Sequence, residues 1–138
     1  EWRFPAPLGT QKVRAEFTMA DCVTIPRHLA TPALRSYMTI TAADDVSDPD
    51  PSPPVAVDES GRSSQTFLVD VVVRSGTTER RAVAGGRDIY ASSAPLVVEA
   101  TERVLGGLVE RTGALTASQA FDARDFLRSL PFDHVSLP

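Results

Sequence analysis

Alternation of apolar and polar positions is the clearest regularity along this chain. Between Gln11 and Thr18, Val13, Ala15 and Phe17 fall on one side and Lys12, Arg14, Glu16 and Thr18 on the other, the period-two pattern of a half-buried strand. Ahead of it, Glu1-Trp2-Arg3-Phe4 reads as extended structure and Pro5-Ala6-Pro7-Leu8-Gly9 as a turn, because two prolines deny ladder donors and Gly9 tolerates a positive φ. Ser36 to Ala42 alternates again, setting Met38, Ile40 and Ala42 opposite Tyr37, Thr39 and Thr41, and predicts a second strand. The strongest signal runs from Thr66 to Arg74, where Phe67, Val69, Val71 and Val73 form a wholly apolar face opposite Leu68, Asp70, Val72 and Arg74. That predicts a central strand. Ser75-Gly76-Thr77 then reverses the chain into a strand from Glu79 to Ala84, a β-hairpin that Gly85-Gly86 ends.

Helical spacing replaces alternation in the second half. Ser92 or Ser93 can cap a helix that carries Pro95 in its first turn and runs to about Leu105, with Ala94, Val97, Val98, Thr101, Val104 and Leu105 on one face and Gly106-Gly107 as its stop. Thr116 and Asp122 are placed as N-caps of two short helices, the second bearing Phe126, Leu127 and Leu130 before Pro131. Residues 21–36 read as a loop with short helical turns. Residues 43–63 read as an acidic, Pro-rich loop, with Asp44, Asp45, Asp48 and Asp50 interleaved with prolines. Strands come first and helices gather late. The expected class is therefore α+β, a mixed and mainly antiparallel sheet with helices packed on one face.

Length and composition bound the function. A chain of 138 residues with 42% hydrophobic and 23% charged residues is expected to fold as a single α/β domain around one core. A net charge of -4 with 14 scattered basic residues argues against a nucleic-acid partner. No apolar run reaches the roughly 18 to 20 residues that cross a bilayer, so no membrane partner is expected. Cys22 stands alone, which excludes a disulfide or a cysteine metal cluster within one chain and suits a reducing cytoplasm. The opening residues already read as structured and lack an initiator Met, so the chain is expected to be a fragment of a longer one.

Candidate chemistry is sparse. None of the eight glycines is spaced as G-x-G-x-x-G or G-x-x-x-x-G-K-[ST], G-x-S-x-G is missing, and His28 and His134 have no metal-ligand spacing. Cys22 with His28 suggests a thiol nucleophile beside a base, against which stands the ordinary reading of a small buried cysteine and a loop histidine. Asp44 to Asp50 lacks the mid-loop Gly and terminal Glu of a calcium loop. Gly86-Arg87-Asp88-Ile89-Tyr90 puts polar groups at a strand-to-helix junction where ligands often bind, although capping by Asp88 and core packing of Tyr90 explain the same residues.

Taken in order, Val71 to Arg74, Arg81-Ala82-Val83 and Gly86-Arg87-Asp88-Ile89-Tyr90 before an apolar helix resemble the second domain of saccharopine-dehydrogenase-like proteins. Thr24-Ile25-Pro26-Arg27-His28-Leu29 and Gly113-Ala114-Leu115-Thr116-Ala117 resemble other landmarks of that family in the same order, with Ser93 and Ala117 departing from its usual Thr and Pro. The resemblance implies an NAD(P)-dependent oxidoreductase whose N-terminal Rossmann domain is missing from this chain. This chain would then be the domain that binds a small-molecule substrate and forms a homodimer, inactive alone. No catalytic residue or metal ligand is assigned, and NAD(P) belongs to the parent protein. Arg27, His28, Arg87 and Tyr90 are the expected substrate-binding residues, Arg clamping a carboxylate and His or Tyr donating to a carbonyl or imine nitrogen. The alternative is a non-enzymatic small-ligand-binding or interaction module that dimerises through its sheet.

Overall fold

A computed structural model describes residues 1–15 and 17–138. Contacts divide the chain into two compact units, Glu1–Pro53 and Pro54–Pro138, where length alone led to an expectation of one core. All strand pairing among the described residues is antiparallel, in three small sheets accompanied by helices, which is the α+β class.

In the first unit, β1 (Trp2–Arg3) pairs with β2 (Thr10–Gln11) around a turn closed by Phe4 N–H donating to the Gly9 carbonyl at 3.0 Å, with Gly9 at φ 65°. β3 (Val13–Ala15) pairs with β4 (Tyr37–Thr39). Tyr37 also stacks on Trp2, ring centroids 5.5 Å apart. The predicted first strand is thus two short pieces, and Glu16 lies outside the described residues. Between β3 and β4, α1 (Asp21–Thr24) tightens into a 3₁₀ turn over Ile25–Arg27, the helical turns expected there.

The predicted second strand is corrected after three residues. At Ile40 the chain turns into α2 (Ile40–Ser47), capped by the Thr39 hydroxyl, which accepts from Ala42 N–H at 3.3 Å. Alternation through Ala42 misleads because Ala42-Ala43-Asp44-Asp45 suits a helix better than a strand, and burial of Ala43 anchors the turn. Helix therefore occupies the start of the segment predicted as loop 43–63. Beyond Ser47 that segment contains one isolated bridge, Ala56 with Ser63.

The second unit is built on the predicted hairpin. β5 (Thr66–Ser75) and β6 (Thr78–Arg87) pair without interruption from Ser75 with Thr78 to Thr66 with Arg87. Gly76, at φ 56°, takes the first of the two central positions, where a type II′ turn needs a positive φ. Contrary to expectation, the strand continues through Gly85-Gly86. A Cβ on Gly85 would stand 3.0 Å from the Phe67 carbonyl oxygen, so the missing side chain lets the two backbones approach.

The third strand, β7 (His134–Ser136), joins β6, giving the order β5-β6-β7. β5 is therefore an edge strand and not the central one. Its apolar face is also the open one: Val69, Val71 and Val73 are 50%, 49% and 59% exposed, while the Asp70 side chain on the opposite face is 1% exposed and Val83 beside it is buried. Alternation separates the faces of a strand but is blind to which neighbour or which face the rest of the chain will take.

α3 (Ile89–Leu105) repeats this reversal. Its predicted apolar face remains in solvent, with Val97 60% and Leu105 83% exposed, and none of its residues is buried. The side nearer the protein carries Ser92, Pro95, Glu99 and Arg103. α4 (Ala117–Ala120) starts with the predicted Thr116 in a capping box with Gln119, and α5 (Ala123–Ser129) with the predicted Asp122, which accepts from Asp125 N–H at 2.8 Å. Phe126 and Leu130 are buried, Phe126 stacking on Phe121 at 4.8 Å. Arg103 lies over the Phe126 ring, 5.1 Å from its centroid, and bonds Glu99 at 2.6 Å and Asp125 at 2.7 Å.

Candidate functional site

The most heavily bonded polar cluster in the second unit is the junction between β6 and α3, the segment that begins at Gly86-Arg87. Asp88 sits at φ 59°, a left-handed conformation that Asp tolerates better than most residues. Its Oδ1 accepts from Tyr90 N–H at 3.1 Å and Ala91 N–H at 3.0 Å, capping α3, and its Oδ2 accepts from Ser63 N–H at 2.7 Å. Its own N–H donates to the Gln65 carbonyl at 2.7 Å. The helix consequently starts at Ile89, earlier than a cap at Ser92 or Ser93 would allow. Those two hydroxyls instead donate back to the carbonyls of Asp88 and Ile89, at 3.1 and 3.2 Å.

Backbone N–H groups, Ser63 first and Ala91 next, hold the Asp88 carboxyl below its ordinary pKa against the opposing effect of burial. Among the described residues the buried Ser63 hydroxyl has no partner in hydrogen-bonding geometry. It nonetheless stands close enough to the Asp88 carboxylate to assist the lowering.

Beside this cap, Asp58 closes a loop on itself. Its Oδ1 accepts from Ser60 N–H at 3.1 Å, Ser60 Oγ at 2.6 Å and Arg62 N–H at 3.1 Å, and its Oδ2 meets the Arg87 guanidinium. The Ser60 hydroxyl and the Arg62 N–H, with Arg87 and Arg62 charge adding, hold its pKa at about 2. A third carboxylate, Asp70, takes a two-pronged bond from Arg81 at 2.8 and 2.6 Å across the hairpin. That bond in turn raises the Arg81 pKa.

The four expected substrate-binding residues fall two and two into the separate units. Arg27 is exposed at the end of the 3₁₀ turn, and His28 is half-buried with its Nδ1 bonded to the Thr24 carbonyl at 3.0 Å. Cys22 Sγ lies 3.8 Å from Ser36 Oγ, so neither of these bonds joins thiol to imidazole. In the second unit, Arg87 is committed to Asp58. Tyr90 stands exposed on the first turn of α3 instead of packing into a core, and the Asp88 cap is the half of that reading that stands.

Sequence reasoning missed Asp58, Ser63 and the Asp70–Arg81 pair. Asp58-Glu59-Ser60-Gly61 is a recognisable Asx-turn composition, but its ion pair to Arg87 spans 29 positions and leaves no local trace.

No protein-family model matches this chain, and neither a curated protein nor a solved structure matches it.

Proposed function

We propose that this chain is the substrate-side and oligomerisation domain of a larger saccharopine-dehydrogenase-like, NAD(P)-dependent reductase. The observation that carries its association role is the outward turn of two apolar faces in one unit, Val69-Val71-Val73 on β5 and Val97-Val98-Val104-Leu105 on α3. Scattered exposed valines are ordinary, but a contiguous row along a strand marks a surface that meets another body. Support for the reductase is the ordered set of landmarks that includes Gly86-Arg87-Asp88-Ile89-Tyr90 at a strand-to-helix junction.

With no phosphate-binding glycine pattern among its residues, the chain does not fit NAD(P), and the nucleotide has to be held by another part of the protein. What remains for this chain is binding and orientation. On this reading Tyr90, exposed on the first turn of α3, would offer its hydroxyl to a substrate carbonyl or imine nitrogen, while Arg87 would bind a carboxylate by releasing Asp58.

In the protein that includes its nucleotide-binding part, Tyr90→Phe is expected to lower kcat/KM by about 100-fold or more with the fold intact. Unchanged kinetics would remove Tyr90 from the substrate side. The Arg87–Asp58 ion pair favours a second reading, a non-enzymatic interaction module in which Arg87 is structural. On that reading Arg87→Ala weakens folding and leaves no reductase activity to change.

A further inference from the structure

We propose that the segment from Asp48 to Val57 is a docking peptide for a second protein, one that presents a groove lined with aromatic rings and rimmed with basic side chains. Four of the six residues from Pro49 to Pro54 are proline. Each proline fixes its own φ at about −65° and pushes the residue before it to an extended ψ. Asp48, ahead of Pro49, has φ −66° and ψ 122°. The chain bends at Pro49-Asp50, where Asp50 N–H donates to Asp48 Oδ1 at 2.9 Å, and then continues through residues 51–55 without a further bend or turn. Pro51-Ser52-Pro53-Pro54 is thereby biased to the left-handed polyproline helix before anything binds. Three residues per turn of that helix put Pro51 and Pro54 on one edge, about 9 Å apart.

The surroundings leave this edge open. Residues 44–57 are all exposed, and among the described residues the only hydrogen bond made by residues 49–54 is the one from Asp50. Only Asp50 and Ser52 carry a backbone N–H there, so the segment is a poor template for strand addition and has to be read through its side chains. Proline runs are read by grooves between aromatic rings, which gain from a backbone whose entropy is already lost. A stiff spacer would account for the prolines alone. It does not account for Val55 and Val57, 73% and 56% exposed, which extend the apolar edge directly beyond Pro54.

Charge sets the character of the groove. From Ser36 to Gly61 the chain has no Lys or Arg, and the carboxylates of Asp48 and Asp50 make no ion pair among the described residues. Asp50 precedes Pro51, the first proline of the open edge, and its carboxylate is available to a guanidinium or ammonium at the rim. An acidic rim would be repelled.

The test titrates the full chain into a panel of recombinant SH3, WW and EVH1 domains, in which members with Arg or Lys at the groove rim are set beside members with acidic rims. At least one basic-rimmed domain is expected to bind, and the acidic-rimmed ones more weakly. Pro51→Ala with Pro54→Ala removes both edge contacts and the preset backbone, and is expected to weaken that binding about ten-fold or more with an unchanged urea midpoint. Asp50→Lys is expected to weaken it at low salt and to reverse the preference between rims.

Failure of every domain to bind, or binding that survives the double proline substitution, overturns the docking peptide and leaves a spacer. Binding that shows no preference for basic rims and is unmoved by Asp50→Lys overturns the stated partner. Because the segment lies outside the residues assigned to substrate or association, neither result touches the kinetics of Tyr90→Phe, which test the reductase reading separately.

Discussion

The β6–α3 junction and the outer faces of β5 and α3 reverse the usual places of polar and apolar groups in opposite directions. At the junction a carboxylate, Asp88, is buried. Along β5 and α3, valines and leucines stand in water. The first arrangement is complete within the chain, because Asp88 accepts from three backbone N–H groups and so its desolvation is offset where it occurs. Among the described residues nothing comparable covers Val69, Val71 and Val73. Polar burial here is a finished structural device, whereas the apolar exposure is the surface to which the proposed association role is assigned.

Substitutions can break that contrast, and the largest effect is expected in the small core itself. Phe126→Ala removes a buried ring that stacks on Phe121 and supports Arg103, and is expected to cost about 3 kcal/mol in urea unfolding. Gly76→Ala should cost about 1 kcal/mol: no atom lies within 4 Å of the added Cβ, so the penalty is backbone strain at φ 56° alone.

The junction has a pH signature. Asp58 is depressed in the folded chain from its ordinary 3.8 to about 2, and Asp88 is lowered as well. A depressed carboxylate contributes stability that is fully present above its unfolded pKa and lost as the group is protonated. Stability should therefore fall as pH drops from 3.8 towards 2, and Asp58→Asn should flatten that slope in urea titrations run across the range. Smallest of all, Val71→Thr on the open face should shift monomer stability by less than about 0.5 kcal/mol, since little apolar area is lost from the interior.

What could be read in the sequence was local. The hairpin is legible because alternation and Gly76 lie within a few residues of each other, and the caps Thr116 and Asp122 act over three positions. Orientation was not legible. The pattern in Thr66–Arg74 names two faces correctly but does not say which one the chain will cover, because burial of the Asp70 face depends on Arg81 engaging Asp70 and on β7 returning to β6 from about 50 residues away. Helix α3 shows the same limit, its covered side being the one that carries Glu99 and Arg103. Of the expected site residues, only the Arg87–Tyr90 segment lies in a bonded cluster, and the partner that makes it one, Asp58, is remote in sequence.

Amide hydrogen exchange along β5, followed as protein concentration rises, tests most directly whether this strand carries the proposed association role. Val71 and Val73 already donate towards β6 and should exchange slowly at every concentration. If the chain associates through this strand as proposed, the amides of Asp70, Val72 and Arg74, which alternate with those aimed at β6, should slow as the chain associates. Equal exchange of those three amides in dilute and concentrated protein would contradict an association role for β5.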